Sequence, residues 1–313
     1  MPAFLIVTTA DLPEAYFLAS FLEAWAQTFA LVNIVARPAV NTLEVLGRLR
    51  RKRGSLYVTD LLLARTMDAL AVPVYRTLAP EGFGAFPEVD ARFVRHVRSR
   101  HPHLDCTDPH APDVLKYVRD FAPDYILLAG CPILRPSFYG LARHGALNRH
   151  LGFLPDFRGS DCAVWAFAQG RPESAGYSIH VVSERVDAGD VVLRRRVPVG
   201  EEPSLARYLK TLRREGSTGF VEVIAQVLQG APLPRVSQDG KGRYYPPAGL
   251  WTRVRAHRNY QRYQNSRDAS RPPSERLRSL AHTTPGSTAA CPTQVPKPQS
   301  VPAMTRSRPT SLA

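Results

Sequence analysis

Short apolar runs alternate with amphipathic stretches of helical length through the first 150 residues of the chain. This alternation is typical of βαβ units, in which helices connect parallel strands and pack on the faces of one sheet. The sequence therefore predicts an α/β fold: a Rossmann-like, open and mostly parallel sheet with helices on both faces. The predicted strands cover residues 3–9, 31–36, 124–130, 146–151, 176–182 and 191–199. The predicted helices cover 13–29, 42–63, 113–121, 161–169 and 202–229, where the second is interrupted by the basic residues 50–53 and the last has a candidate break near Gly216.

The length and composition set the domain organisation. With 313 residues, of which 44% are hydrophobic, the chain can bury a sizeable core as one large domain or two small ones. We expect a catalytic domain over 1–235, a C-terminal strap or hairpin over 236–264, and a disordered basic tail over 265–313. No apolar run approaches the ~18 residues of a membrane helix, and the start lacks the basic region of a signal peptide. These features predict a cytoplasmic protein with no membrane partner.

The net charge of +14 is concentrated near the C-terminus, where 13 Lys/Arg and 2 Asp/Glu follow position 240. The predicted tail is rich in Ser, Pro, Thr and Arg, so it cannot bury enough apolar surface to offset the entropy lost on ordering. It could contact RNA or anionic lipid weakly. Because it lacks interleaved aromatic residues, a solvated tail with no dedicated partner is the preferred interpretation.

Two classes of cofactor site are excluded by spacing. The turn after the first predicted strand reads TTAD at residues 8–11, without the glycines that a nicotinamide cofactor needs for its pyrophosphate. The cysteines show neither CxxC pairs nor zinc-ligand spacing, so we expect no metal and reduced thiols. They are Cys106, Cys131, Cys162 and Cys291.

Candidate catalytic residues lie on the predicted strand 146–151 and in the sequence that follows it. Asn148 and His150 are two apart, so they share one face of the strand, near the end where open parallel sheets bind ligands. Such a pair fits hydrogen-bonded core residues as well as a site. Asp187 lies in a later loop, where an aspartate is ordinarily a turn residue, and His180 lies in an apolar strand, where it could be structural.

A chemical role would unite these side chains. An Asp187 carboxylate within reach of His150 would raise the pKa of the imidazole and could accept a proton from a nucleophile, directly or through water. Asn148 and His150 would then donate hydrogen bonds to a carbonyl oxygen as it becomes an oxyanion. This chemistry suits acyl transfer to an amine without a covalent enzyme intermediate.

The same residues resemble the formyltetrahydrofolate-dependent formyltransferases, including the catalytic domains of methionyl-tRNA formyltransferase and glycinamide ribonucleotide formyltransferase. The resemblance covers residues 113–199, and 122–134 (APDYILLAGCPIL) also looks like the family's folate-side strand and loop. The matched motifs, in order, are Asn148-x-His150, Leu154-Pro155, Arg158-Gly159, His180 and Asp187-Ala188-Gly189.

This resemblance implies a formyltransferase fold and 10-formyltetrahydrofolate as formyl donor. Asn148, His150 and Asp187 would be the catalytic trio, with His180 in support. The donor would be bound largely by backbone groups of two loops, which contribute Cys131, Pro132, Ile133, Leu134, Glu184, Val186 and Gly189. The family often has Pro-Ser where this chain has Leu151-Gly152, which puts any acceptor contact of that serine in doubt. Cys162 has no base placed near it, so a nucleophilic role is not expected.

The acceptor is inferred less directly. In the family, transfer to charged tRNA uses an additional folded C-terminal domain, and the sequence after Leu250 is too polar and proline-rich to predict one. We therefore expect a small primary amine, such as an amino-sugar nucleotide or another phosphorylated amine. Arginines are candidates for its phosphates, although Arg50–Arg53 also fit a solvated helix end. The candidates are Arg48, Arg50, Arg51, Arg158 and Arg243.

Three alternatives remain open. The protein could hydrolyse 10-formyltetrahydrofolate, although such hydrolases carry a regulatory domain before the catalytic one and the first predicted strand here begins at residue 3. It could resemble methionyl-tRNA formyltransferase while lacking the tRNA-binding domain. It could also be a basic RNA-binding protein on a decayed transferase fold, against which the intact trio argues.

Overall fold

The computed structural model describes residues 1–35, 42–78, 86–238 and 242–270. Residues Met1–Ala269 form one compact unit. The strands are β1 (Phe4–Thr9), β2 (Phe29–Ile34), β3 (His103–Cys106), β4 (Tyr125–Ala129), β5 (Ala146–His150), β6 (Phe157–Gly159), β7 (Gly176–Val181), β8 (Val191–Arg196) and β9 (Arg243–Tyr245). The α-helices are α1 (Pro13–Ala24), α2 (Thr42–Arg53), α3 (Ser55–Leu78), α4 (Ala91–Arg100), α5 (Pro112–Phe121), α6 (Pro136–Tyr139), α7 (Cys162–Ala168), α8 (Leu205–Leu228) and α9 (Leu250–Ser270).

Seven of the strands form one sheet in the order β3-β2-β1-β4-β5-β7-β8. The first five run parallel, while β7 and β8 pair antiparallel to their neighbours. In β2 every residue is buried, and β1 is buried except at its last residue, as expected for strands covered on both faces. The predicted mostly parallel α/β sheet is confirmed.

Helices cover both faces of this sheet. On one face α1, α7, α8 and α9 contribute large buried side chains, including Tyr16, Phe167, Phe220 and Tyr260. On the other face the buried side chains of α5 and α6 pack under β1 and β4. Among the described residues, no helix is both long and apolar enough to cross a lipid bilayer.

Two helix predictions were wrong in extent. The helix predicted over 13–29 ends at Ala24, and Phe29 begins β2 because its side chain is buried in the sheet core. The helix predicted over 42–63 is instead two helices, separated at Gly54, whose φ of +88° leaves the helical region.

The long predicted helix over 202–229 is correct as a single element, and its possible break at Gly216 does not occur. A Cβ at Gly219 would lie 2.5 Å from the Tyr177 ring, and one at Gly216 would lie 3.3 Å from Leu151. Glycines here therefore serve the close approach of α8 to β5 and β7 rather than a break.

Strand β3 and helix α4 were missed by the sequence analysis. Cys106 is the one buried residue among the four of β3, because the strand lies at the edge of the sheet. Its residues His103 and Asp105 are exposed, so no apolar run marks the strand. In α4, Val97 is the one buried residue, and the helix carries four arginines, so the apolar side chains that it packs on the core are confined to Phe93, Val94 and Val97.

The segment 236–264, predicted as a strap or hairpin, instead contains a strand and a helix. Strand β9 pairs in parallel with β6 rather than folding back on its own neighbour, and residues from Leu250 onward form helix α9. Helix α9 is largely polar and buries Ala256 and Tyr260, which explains why its pattern was overlooked. The Asp-Gly pair at 239–240, which the sequence predicts as the turn of such a hairpin, lies outside the described residues. Of the predicted tail, 265–270 complete α9, the rest lies outside the described residues, and the domain boundaries remain predictions.

Candidate active site

The site is built where the parallel part of the sheet meets its antiparallel edge. Asn148 and His150 lie on β5, which pairs in parallel with β4 on one side and antiparallel with β7 on the other. In this register Asn148 lies directly opposite His180. The Nδ2 atom of Asn148 is 3.0 Å from Nε2 of His180, so the two strands bring the amide and the imidazole together.

Asp187 reaches these residues from the loop between β7 and β8. The loop is held tightly on β7, because a Cβ at Gly189 would lie 1.9 Å from the carbonyl oxygen of Val181. The Oδ2 atom of Asp187 accepts a 2.8 Å hydrogen bond from the backbone N–H of Gly159. Gly159 has a φ of +98°, a conformation that glycine adopts without strain.

The Asp187 carboxylate therefore lies between two histidines. Its Oδ2 is 3.6 Å from Nδ1 of His150, and its Oδ1 is 3.5 Å from Nε2 of His180. The other ring nitrogens face backbone carbonyls: Nε2 of His150 lies 2.8 Å from Phe157 O, and Nδ1 of His180 lies 2.9 Å from Val181 O. In a neutral His150 ring, Nε2 carries the proton that bonds to Phe157 O, so its unprotonated Nδ1 faces the carboxylate.

Burial sets the protonation of this group. It lowers the pKa of His150, and the nearby charge of Asp187 raises that pKa by less. The expectation that Asp187 would leave His150 with a raised pKa is therefore wrong in its net direction. Burial also raises the pKa of the Asp187 carboxyl, but the contact with His180, the charge of His150 and the Gly159 N–H outweigh it and lower the pKa to about 2. At neutral pH the centre is a carboxylate beside a neutral His150.

Asn148 and His150, the two predicted oxyanion donors, differ in whether they have an N–H available to donate to a substrate. One N–H of the Asn148 amide is used by His180, which leaves the second free. Nε2 of His150 is engaged by Phe157 O, and its Nδ1 faces Asp187. Donation from His150 to a substrate oxygen therefore requires one of these contacts to open.

The glycine at position 152, where the family often has serine, is explained by lack of space for a side chain. A Cβ at this position would lie 2.4 Å from Nε2 of His150 and 2.8 Å from the Cβ of Cys162. No side chain, a serine included, fits there without displacing the His150 imidazole. Cys162 itself is buried, and burial raises the pKa of its thiol, which agrees with an unreactive structural residue.

The residues predicted to bind a folate lie on two loops. Cys131, Pro132, Ile133 and Leu134 follow the carboxyl end of β4, while Glu184, Val186 and Gly189 lie in the loop that carries Asp187. Leu134 is buried, but Ile133 is 73% exposed and Val186 is 37% exposed. Two exposed aliphatic side chains on these loops are suited to contact a flat ring.

Sequence analysis missed Gln238. Its Nε2 donates to the carbonyl oxygens of Asp187 and Gly189, at 3.1 and 2.6 Å, and so fixes the backbone of the loop that carries Asp187. Its Oε1 accepts a 3.1 Å hydrogen bond from Arg158. A glutamine in a polar segment carries no sequence signal for this role.

Two cavities adjoin the site. The first, of about 370 Å³, is lined by Arg158, Ser183, Glu184, Arg185, Ala188 and Gln238. The second, of about 130 Å³, is lined by Arg53, Tyr57, Trp165, Gln169, Arg243, Tyr244, Tyr245 and Pro246. Of the arginines predicted to bind phosphate, Arg158 and Arg243 line these cavities, as does Arg53 of the Arg50–Arg53 cluster, whereas Arg48, Arg50 and Arg51 line neither.

The chain is similar in sequence to known formyltransferases. Residues 88–224 match the formyl transferase family, and this segment contains Asn148, His150, His180 and Asp187. Methionyl-tRNA formyltransferase of Chlorobium phaeovibrioides is 31% identical over 129 residues, 41% of this chain and 40% of that protein. The enzyme of the same name from Anaeromyxobacter dehalogenans is 37% identical over 123 residues, 39% of each chain. The chain thus matches about 40% of the length of these curated relatives.

A solved structure shows the same fold. Phosphoribosylglycinamide formyltransferase from Anaplasma phagocytophilum is similar with a TM-score of 0.50 and 15% sequence identity, over 78% of this chain and 98% of that chain.

Proposed function

We propose that the protein transfers a formyl group from 10-formyltetrahydrofolate to the primary amine of a small phosphorylated acceptor, because residues 88–224 match the formyl transferase family. The observation that carries the proposal is the convergence of the ionised Asp187 carboxylate, the unprotonated Nδ1 of His150 and the free N–H of Asn148. Transfer of an acyl group to an amine needs a proton acceptor and an oxyanion donor side by side, and this arrangement supplies both.

The reaction begins when the acceptor nitrogen attacks the formyl carbon. A nitrogen–carbon bond forms, the carbonyl becomes an oxyanion, and the nitrogen becomes positively charged. The second N–H of Asn148 is free to donate to that oxyanion, while its first N–H holds the amide against His180. Because the amide is already oriented, stabilisation costs little reorganisation in the transition state.

Proton movement completes the transfer. Asp187, ionised at neutral pH, accepts the proton from the charged acceptor nitrogen. His150 supports this step, because a proton on its Nδ1 would bond to the carboxylate that it faces. As the oxyanion collapses, the bond from the formyl carbon to the folate nitrogen breaks. The folate nitrogen then takes the proton from Asp187, which returns to its ionised form, so no proton is gained or lost overall.

The donor is proposed to bind between the two loops that flank the trio. The exposed side chains of Ile133 and Val186 supply apolar contact area for the pterin ring. Backbone groups of residues 131–134 and 184–189 supply the hydrogen bonds that orient it. This assignment rests on the family resemblance and on the position of both loops beside the trio.

The second cavity supports a phosphorylated acceptor. Arg53 and Arg243 line it, and neither makes an ion pair with any described carboxylate. Tyr244 and Trp165 add ring surfaces that could stack on a planar group. The cavity lies beside the trio, because a Cβ at Gly159, whose N–H bonds to Asp187, would meet the Tyr244 ring at 3.0 Å.

Charged tRNA is the second candidate acceptor. The curated relatives are named methionyl-tRNA formyltransferases. Helix α9 also carries five arginines between residues 250 and 267, with no acidic residue in that range, which suits contact with a polyanion.

The test is an acceptor screen with the purified full chain. 10-Formyltetrahydrofolate is incubated with phosphorylated amines, amino-sugar nucleotides and methionyl-tRNA, and products are identified by mass spectrometry from the gain of a CO group. We expect a formylated small amine, which the Asn148→Ala variant fails to produce. Formylated methionyl-tRNA alone would identify the second candidate. Release of formate without any formylated product would identify a hydrolase and contradict the proposal.

A further inference from the structure

Arg158 is a buried cation that has no counter-ion among the residues described in the structure. The residue is 5% exposed, and its one side-chain hydrogen bond donates to Oε1 of Gln238. Its Nε is buried and has no hydrogen-bond partner. Among the described residues, no carboxylate lies within ion-pair distance of its guanidinium, so this part of the fold leaves the charge uncompensated.

Such an arrangement is costly unless something else supplies the missing partner. A guanidinium has five N–H donors, and its removal from water is unfavourable without an anion or a full set of acceptors. Buried arginines are therefore ordinarily paired. The position of Arg158 on β6, against the backbone of Gly242, prevents the side chain from simply extending into solvent.

The 370 Å³ cavity in front of Arg158 has room for that partner. Of the other charged residues that line it, Arg185 and Glu184 also make no ion pair with described residues. Two positive charges and one negative charge leave the lining net positive. Glu184 is exposed on its loop, whereas Arg158 is fixed, so the fixed charge of the cavity is cationic.

We propose that Arg158 binds an oxyanion, the carboxylate or phosphate of a ligand that occupies this cavity. Carboxylate and phosphate share the planar pairs of oxygens that a guanidinium binds through two parallel hydrogen bonds.

The position of the cavity indicates which ligand carries the anion. Gln238 joins Arg158 to the carbonyls of Asp187 and Gly189, so the cavity shares a wall with the catalytic loop. The anion is therefore one end of a substrate that reacts at Asp187. This identification rests on the proposed function, whereas the anion site itself stands on the burial of Arg158. Its two possible sources are the glutamate carboxylates of the folate donor and the phosphate of the acceptor.

The first experiment measures thermal unfolding of the full chain with Arg158→Met, which keeps an unbranched side chain but removes the charge. If the guanidinium awaits a ligand, the ligand-free variant melts at least about 2 °C above the wild type, because an uncompensated buried charge is gone. If the guanidinium instead stabilises the folded protein through its contacts, the Arg158→Met variant melts below the wild type. A lower melting temperature in Arg158→Met therefore overturns the proposal.

The second experiment titrates three probes by calorimetry: 5-formyltetrahydrofolate, the same compound without its glutamate, and inorganic pyrophosphate. Arg158→Met and Arg158→Gln should weaken binding of at least one anionic probe about 10- to 100-fold, and Glu184→Gln should strengthen it. An Arg158-dependent loss confined to the glutamate-bearing folate assigns the anion to the donor. A loss confined to pyrophosphate assigns it to the acceptor.

Arg195→Gln is the matched control, since it removes one positive charge from a half-exposed surface pair with Glu222. It should leave all three affinities unchanged. If the Arg158 variants bind every probe as the wild type does, or lose no more than Arg195→Gln, there is no oxyanion site. If the wild type fails to bind the folates, the proposed donor is wrong, yet the pyrophosphate titration still tests the cavity.

Discussion

Replacement of Asp187 by asparagine tests the assigned chemistry with little disturbance of the fold. The carboxylate accepts the Gly159 N–H through Oδ2 and faces Nε2 of His180 through Oδ1. An asparagine can keep its oxygen on the Gly159 N–H and donate from its nitrogen to His180. The loop that carries residue 187 is also held by Gln238. We therefore expect Asp187→Asn to fold and to bind the donor.

Turnover should nevertheless collapse, because an amide cannot take up the proton of the acceptor amine. General acid–base contributions are typically about 10²- to 10⁴-fold, and this range is the expected loss. The assay is formyl transfer to the amine identified by the screen, with donor affinity measured separately by titration. Retention of more than about a tenth of wild-type turnover would show that Asp187 is only a turn residue, and the assigned mechanism would be refuted.

The same variant should change stability in a defined pH window. The pKa of Asp187 is lowered to about 2, against about 3.9 in an unfolded chain. A lowered pKa stabilises the fold above the unfolded value, and this contribution is lost as the pH falls through the folded value. The difference corresponds to about 2.5 kcal/mol at neutral pH. Urea unfolding should show this loss between about pH 4 and pH 2 in the wild type, and Asp187→Asn should lack it. Equal acid dependence in both proteins would contradict the assignment of the shift to Asp187.

Three further outcomes are expected. Asn148→Ala and His150→Ala should each lower turnover by about 10²-fold or more. A triple variant that also carries Asp187→Asn should be scarcely slower than the slowest single variant, because the three residues act as one unit. If the losses of the single variants instead multiply in the triple variant, the residues act independently. Gln238→Leu removes both donors to the loop carbonyls, so turnover should fall about tenfold while the free energy of unfolding changes by under about 3 kcal/mol; unchanged turnover would show that the loop holds itself. Deletion of 271–313, just beyond the end of α9, should alter the free energy of unfolding in urea by less than about 1 kcal/mol and leave turnover of a small acceptor intact; a larger loss would show that the deleted segment packs on the fold.

The site was predictable from the sequence only as a set of residues. Asn148 and His150 follow from the strand period, and their partners Asp187 and His180 from motif resemblance. The protonation of the centre was not predictable. It depends on Phe157 O and Val181 O, which fix the tautomers of the two imidazoles, and on burial, which reverses the expected net shift of the His150 pKa.

The sequence by itself determined the parallel α/β sheet, because strands that are buried on both faces are continuous apolar runs in the sequence. It could not determine β3 and α9, since an edge strand and a largely polar helix bury too little to leave a pattern. Only the tertiary structure decided two features: the hydrogen bonds by which Gln238 holds the loop of Asp187, and the burial of the Arg158 guanidinium. Arg158 and Gln238 are 80 positions apart, so their hydrogen bond records how the chain returns on itself and not any local preference. Local sequence encodes which residues are buried, whereas the electrostatics of a site depend on which distant groups are buried beside them.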